Sequence, residues 1–463
     1  MKLTAGTLGV VLAVQVAAEG EDGQAMRQAG VSDWLHRVAL GGSVWGVWRD
    51  VCVRGAGFAA DRVLAVCDEP LAAAADRAAG GGGDRAAFEA AYARAVTRLS
   101  AGIADTYADP LFREAVTWQN PVLARFLRDH DQGPAAPRRS KQRQRELVIA
   151  NYLQRYCLKN DTIGFFGPVG WATAGHDGPA LTVTPGNQLI ARRTTYFEVW
   201  AIDKIAAEIA RHGRAHGWLR PRRTRSVFLD GSQLHRPHRK PVTLTGDELA
   251  IWHACDGHRT ISQILDSAGT PDGRGLLTRL AELGALRLDL EGPMHAWPEQ
   301  LLTRELEQIT DPAARAAALA PVEQLITARD AVAATSGDPD ALDQALADLA
   351  ATFEQITGTP PTRRAGANYA GRTLVYQDTT RDVTVHLGHP ITQALAAPLT
   401  HILDSARWLI NDITGKYRTL FTELYDQMAT QANGAPLPLQ RFLTAASPYL
   451  LLHQSRAIAE LAA

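Results

Sequence analysis

The sequence has no paired cysteines. Cys52, Cys67, Cys157 and Cys255 are its only four in 463 residues and no two form a CxxC, a scatter that argues against a zinc ribbon and against a disulfide framework. It has no surplus of charge either: 48 Lys and Arg face 49 Asp and Glu, a formal net charge of −1. No global field draws nucleic acid, and any basic site must be local. No apolar run reaches about 18 residues free of polar breaks, which argues against a transmembrane helix. The start, Lys2 and then Leu8–Val14, carries one positive charge and a short apolar core broken by Gln15. It reads as a buried strand or helix rather than a secretion signal, and the expected location is cytoplasmic with no membrane partner. The P-loop, HExxH, GxSxG and strand-anchored GxGxxG signatures are all missing. The pairs His212/His216 and His235/His238 have no acidic or cysteine co-ligand nearby, so no metal site is expected.

What is present is an ordinary globular composition, 46% hydrophobic and 21% charged, long enough for two or three domains. The pattern predicts an α+β chain. Residues 1–211 read as a mixed α/β amino-terminal lobe. Residues 212–292 read as a winged helix, and residues 293–463 as a mostly helical region with a β-hairpin over 372–387. In the central unit a hairpin turns at Asp230-Gly231, and Thr245 with Glu248 forms a capping box. Short helices over 260–267 and 275–283 and a closing strand at 286–290 complete the winged-helix pattern.

Local chemistry concentrates in four places. The helix start at Arg138, Arg139, Lys141, Arg143 and Arg145 is cationic without an acid. Residues 211–240 hold nine Arg or Lys, Arg222 and Arg223 among them, against Asp230 alone, with Trp218, His216 and Phe228 interleaved. Both clusters suit RNA phosphate contact and stacking; an Arg-rich solvated surface is the plainer alternative. Arg155 and Lys159 share one helix face ahead of Gly164-Phe-Phe-Gly167. Two fixed cations beside a glycine turn suit a phosphate or a developing oxyanion, although the same text also describes an ordinary helix surface and a tight turn. Residues 363–382, with Arg372 and Asp378, crowd cations, carboxylates and tyrosines onto a glycine-bearing loop and strand.

The stretch Arg155-Tyr-Cys-Leu-Lys159-Asn-Asp-Thr-Ile-Gly-Phe-Phe-Gly-Pro resembles the amino-terminal domain of lantibiotic dehydratases. So do Trp45-Gly-Val-Trp48-Arg49, Arg54-Gly-Ala-Gly-Phe58, Phe112–Asn120, Tyr369–Asp378 and Leu403–Trp408, in order along the chain. The resemblance implies transfer of an aminoacyl group, glutamate in the first instance, from its tRNA to Ser or Thr of a ribosomally made precursor peptide. It implies glutamyl-tRNA as co-substrate and no other cofactor. Arg155 and Lys159 fall where the family carries two arginines for the transfer step, and Lys159 keeps the charge without the planar fork. Arg372 and Asp378 fall in another signature stretch and join them as catalytic candidates. The winged helix is similar to the leader-peptide recognition module of peptide-modifying enzymes, in which a leader adds as a strand to the hairpin edge. Val227, Leu229 and Leu234 are its expected contacts. No elimination domain is legible, and the chain is short for the family. A second subunit carrying the rest of a dehydratase is therefore a further expected partner. The alternative is a non-catalytic, leader-binding subunit of a split dehydratase or of a peptide aminoacyl-tRNA ligase.

Overall fold

In the computed structural model, the described residues are 37–80, 85–128, 140–160, 164–211, 215–236, 239–290, 295–363, 373–433, 435 and 437–450. The described residues open on a short antiparallel ladder of β1 (Arg37–Ala39) and β2 (Gly46–Trp48), followed by β3 (Asp50–Arg54). A helical layer comes next: α1 (Glu69–Ala79), α2 (Arg85–Ala108), α3 (Pro110–Gln119), α4 (Pro121–Arg128) and α5 (Ser140–Leu158). Pro110 starts α3 rather than merely ending the helix before it. Asp109 accepts the Leu111 N–H at 2.9 Å and the proline occupies the first turn, where its missing N–H is no loss.

Strands β4 (Val169–Ala174) and β5 (Leu181–Phe197) lead to α6 (Val199–Arg211). The winged module follows, with β6 (Arg222–Arg223), β7 (Phe228–Asp230), β8 (Gln233–Arg236), β9 (Arg239–Thr243), α7 (Gly246–Ala254), α8 (Ile261–Ala268), α9 (Gly273–Glu282) and β10 (Leu286–Arg287). Its sheet runs β7-β8-β9, while β10 pairs with β6. Leu234, Ile251, Ile264 and Leu280 are fully buried at its centre. Both entering helices are closed by capping boxes, Thr245 with Glu248 and Thr260 with Gln263.

A second core joins α6 to α10 (Pro298–Leu306), α11 (Pro312–Ala334) and α12 (Pro339–Thr357) through Phe197, Ile205, Leu306, Leu325 and Phe353. Arg125 and Arg128 reach across from α4 to the buried carboxylate of Asp343 in α12. The described residues end in β11 (Val375–Leu387), the 43-residue α13 (His389–Gln431) and α14 (Leu439–Leu450). Among the described residues, no helix is long and apolar enough to cross a membrane.

The expected hairpin over 372–387 is instead one strand. β11 runs between β4, to which it is parallel, and β5, to which it is antiparallel, in a sheet of order β3-β4-β11-β5. Its middle, Gln377-Asp-Thr-Thr-Arg-Asp382, looks like a charged turn, yet Gln377 and Thr379 point into the interior and Asp378 points out. The carboxy-terminal region thus donates a strand to the amino-terminal lobe, and the lobe is not contiguous in sequence. β5 is likewise one long strand and continues through Pro185 and Gly186.

Candidate active site

The Gly164 turn is built from an aromatic cluster. Tyr156, fully buried, stacks on Phe58 at 5.6 Å and meets Phe112 at 5.8 Å and Phe166 at 5.0 Å. Its hydroxyl donates to Gln119 Oε1 at 2.7 Å. Burying aromatic faces this way fixes the carboxy-terminal half of α5. The backbone is tied as well: Phe58 N–H donates to the Tyr156 carbonyl, and Gly57 N–H to the Phe166 carbonyl, both at 3.1 Å. Gly164 has φ +81°, a left-handed value suited to glycine, and Gly167 N–H closes the turn on its carbonyl at 3.0 Å.

On the solvent side, Arg155 and Lys159 line one open cleft of about 480 Å³ with Gln119, Asn151, Tyr152, Gln154 and Leu158. Arg155 is half-buried and Lys159 exposed. The two sequence-predicted cations therefore share a cavity. Asn151, one turn before Arg155, was legible in the same i, i+4 spacing. Gln119 was not, because it arrives from α3 through the Tyr156 hydrogen bond.

Asp378 lies on the strand next to the turn. A Cβ placed on Gly164 would come within 3.6 Å of the Gln377 carbonyl oxygen. Arg381 Nη2 donates to the Ala56 carbonyl at 2.6 Å. Crowding by the surrounding sheet pushes the Asp378 carboxyl up from its ordinary value although the residue is exposed, and Arg54 opposes that shift. Residues 54–58, 112–119, 155–160, 164–167 and 377–381, separated widely in sequence, thus meet around the turn and its aromatic cluster. Behind the turn, Thr195 Oγ1, Gln377 Oε1 and Thr379 Oγ1 are buried without a hydrogen-bond partner. A second pair of signature stretches meets where Trp45 Nε1 donates to Asp404 Oδ1 at 2.9 Å and Arg407 covers the Trp45 ring at 5.0 Å.

The other expected residues fall differently. Arg138, Arg139 and Arg372 lie outside the described residues. Lys141 and Arg143 are exposed on the first turn of α5, roughly 20 Å along the helix from Arg155. Arg145 is committed to the fold, since its Nε donates to the Phe126 carbonyl at 3.0 Å and its guanidinium sits 4.9 Å from that ring. Arg223 likewise donates to the Cys255 and His253 carbonyls at the end of α7, satisfying groups that a helix terminus leaves unpaired. Arg222 faces Asp289 at 3.8 Å. Val227 and Leu234 are buried in the core of the winged module and Leu229 packs against it. The side chains of Val227 and Leu234 support the hairpin from beneath, which corrects the expectation that they touch a leader peptide. The described residues include no group of three or more His, Cys, Asp or Glu placed to hold a metal ion.

Residues 108–431 match the family described as lantibiotic dehydratase, N terminus. The chain belongs to that family. No curated protein matches it. Among solved structures it is similar to the TbtB glutamylation domain from thiomuracin biosynthesis, at 16% identity and TM-score 0.53, over 89% of this chain and 58% of that one. The same domain bound to 5'-phosphodesmethylglutamycin aligns at 17% identity and TM-score 0.50, over 85% and 58%. The tRNA-dependent lantibiotic dehydratase MibB from Microbispora sp. 107891 aligns at 15% identity and TM-score 0.47, over 64% and 29%. The lantibiotic dehydratase-type chain described here therefore spans 58% of the length of the TbtB structures it matches. They share its α+β fold.

Proposed function

We propose that this chain transfers glutamate from glutamyl-tRNA to Ser or Thr hydroxyls of a ribosomally synthesised precursor peptide. The observation that carries this reading is that distant family stretches pack together around the Gly164 turn, which follows the helix whose open face carries Arg155 and Lys159. The TbtB neighbour is itself a glutamylation domain, bound in one structure to 5'-phosphodesmethylglutamycin. In the proposed step, the peptide hydroxyl attacks the ester carbonyl of the aminoacyl-tRNA. Its proton passes to a base and then to the departing ribose oxygen, and one ester bond replaces another. Arg155 and Lys159 supply positive charge where negative charge develops on the carbonyl oxygen. We assign the proton to Asp378, on the strand beside the turn and held above its ordinary pKa. Exposed Lys141 and Arg143 offer phosphate contacts along α5. The free edge of the β7-β8-β9 sheet offers the leader a strand to pair with.

The test mixes purified protein, total tRNA charged with radiolabelled glutamate and a Ser/Thr-containing peptide carrying the cognate leader, and reads label transferred to peptide. Transfer should vanish in Arg155→Ala and fall at least 100-fold in Asp378→Asn, with unchanged circular dichroism. Undiminished transfer by Arg155→Ala would remove the cleft from the mechanism. Binding of charged tRNA should weaken steeply with salt, and less steeply in Lys141→Ala/Arg143→Ala.

A further inference from the structure

The inward face of the sheet changes character from one layer to the next. Phe197 and Val375, directly opposite each other on β5 and β11, are buried in the helical core. The following pairs on that face are Thr195 with Gln377 and Arg193 with Thr379. Thr195, Gln377 and Thr379 are buried, so a polar patch sits where apolar side chains would ordinarily continue the core. Arg193 Nη1 donates to Glu114 Oε1 at 2.5 Å, and Glu114 is 1% exposed. The other carboxylate oxygen of Glu114 accepts the Gly337 N–H at 3.2 Å, from the loop between α11 and α12. The start of α12 is fastened to α3 once more, where Arg113 meets Asp340 at 2.8 Å. One carboxylate from α3 thus ties the sheet to the helical core.

The Arg193 guanidinium also lies 4.6 Å from the ring centre of Phe165, a fully buried residue of the Gly164 turn. Phe165 in turn meets Phe166 edge-on at 5.5 Å. On the strand side, Arg193 adjoins Thr194, which faces Asp378 across the ladder. A buried ion pair seldom stabilises a fold more than well-packed apolar side chains of the same volume, so stability alone does not account for this one. What the pair does supply is direction: a guanidinium held by a carboxylate can occupy one place over an aromatic ring. We propose that Glu114 and Arg193 are positioning residues for the transfer step. Glu114 fixes the Arg193 guanidinium against Phe165, which sets the turn that follows Arg155 and Lys159 relative to the strand that carries Asp378. The inference rests on the transfer reading and deepens it, because it assigns to two residues away from the cleft the task of keeping cations and carboxyl in register.

The test separates positioning from stability on the full chain. Glu114→Leu alone strands the guanidinium and should lower the melting temperature. The double variant Glu114→Leu/Arg193→Met leaves no stranded charge and should recover most of that loss. Its glutamyl transfer should nonetheless stay at least 30-fold down in kcat, with the KM for peptide unchanged. Arg193→Lys keeps the charge without the planar fork, and its kcat should fall at least tenfold. Glu299→Ala, which breaks a buried pair elsewhere in the core, should lower the melting temperature and leave kcat as it is at temperatures below the melt. Hydrogen exchange supplies a readout that needs no transfer: the Gly167 N–H, which closes the turn on the Gly164 carbonyl, should exchange at least tenfold faster in the double variant, with the amides of α6 around Ile205 unchanged. Transfer that returns together with the melting temperature, a full kcat in Arg193→Lys, or unaltered Gly167 exchange each overturns the proposal. A wild-type chain that transfers no glutamate refutes the transfer reading and with it the role in transfer; accelerated Gly167 exchange in that case identifies the failure as one of the reading rather than of the contact between the pair and the turn.

Discussion

The pair Glu299–Arg329 offers a sharp test of how the helical core is held beneath the sheet. Glu299 is 2% exposed and Arg329 11%, and the guanidinium donates to Glu299 Oε1 at 2.8 Å between the rings of Phe197, at 5.2 Å, and Trp297, at 5.8 Å. Removing one member of a buried pair strands the other and typically costs about 3–5 kcal/mol. Two features favour the low end: Glu299 Oε2 has no hydrogen-bond partner, and Arg329 keeps the exposed carboxylate of Asp330 at 2.8 Å. Glu299→Ala and Arg329→Met are each expected to destabilise by about 3 kcal/mol, and the double variant by less than either, because no charge is then left stranded. At roughly 2–4 °C per kcal/mol for a cooperative unit of this size, each single variant should melt about 6–12 °C earlier. Thermal melts followed by tryptophan fluorescence measure all three. Additive effects, or a single-variant loss below about 1 kcal/mol, would refute the reasoning.

Gly57→Ala should displace the Gly164 turn, because its Cβ would lie 2.2 Å from Phe166 Cα; glutamyl transfer and melting temperature should both drop, and an unchanged melt would show that the backbone there can move. The winged module should be acid-sensitive. Burial raises the Glu248 carboxyl, but the Thr245 N–H and Arg279 outweigh it and hold the group below 4.5, while the Arg259 and His258 N–H groups hold Asp256 below 3.8. Both carboxyls are depressed on folding, so the stability they give is present above about pH 5 and is lost as pH falls through 4 toward 2. Melts across that range should flatten in Glu248→Gln/Asp256→Asn. Burial pushes the Cys255 thiol up to about 12, so alkylation at pH 8 should label Cys52 and Cys67 quickly and Cys255 only on unfolding.

The winged module was the most legible part of the chain, because its boundaries are written in local chemistry: the Thr245–Glu248 capping box and an Asp-Gly turn, to which the structure adds a second box at Thr260–Gln263. It still hid β9, whose Arg-Lys-Pro start resembles a loop, and β6, whose two residues carry no period. β11 was misread for a physical reason. A central strand is recognised by apolar alternation, and this one buries Gln377 and Thr379 instead. α13 runs unbroken through Gly415, because one glycine weakens a helix by only about 1 kcal/mol, which the flanking turns absorb. The cleft cations were visible from spacing alone. Gln119, which joins them from α3, was not, since no local pattern reports which distant segments will meet.

The sheet order has a consequence for how the chain is made. β3, β4 and β5 are complete once Phe197 is synthesised, but their central strand ends only at Leu387. At about 5–20 residues per second, β4 and β5 stand exposed for roughly 10–40 s on the ribosome with their facing edges unpaired. The winged module can settle in that interval around its own apolar centre, whereas the α10–α12 core shares Leu374 and Val375 with the start of the late strand. The lobe bearing the cleft closes last, around a strand that arrives from far downstream. Errors of synthesis or pausing between Phe197 and Leu387 would therefore strike this lobe first, through open strand edges prone to pairing with other chains.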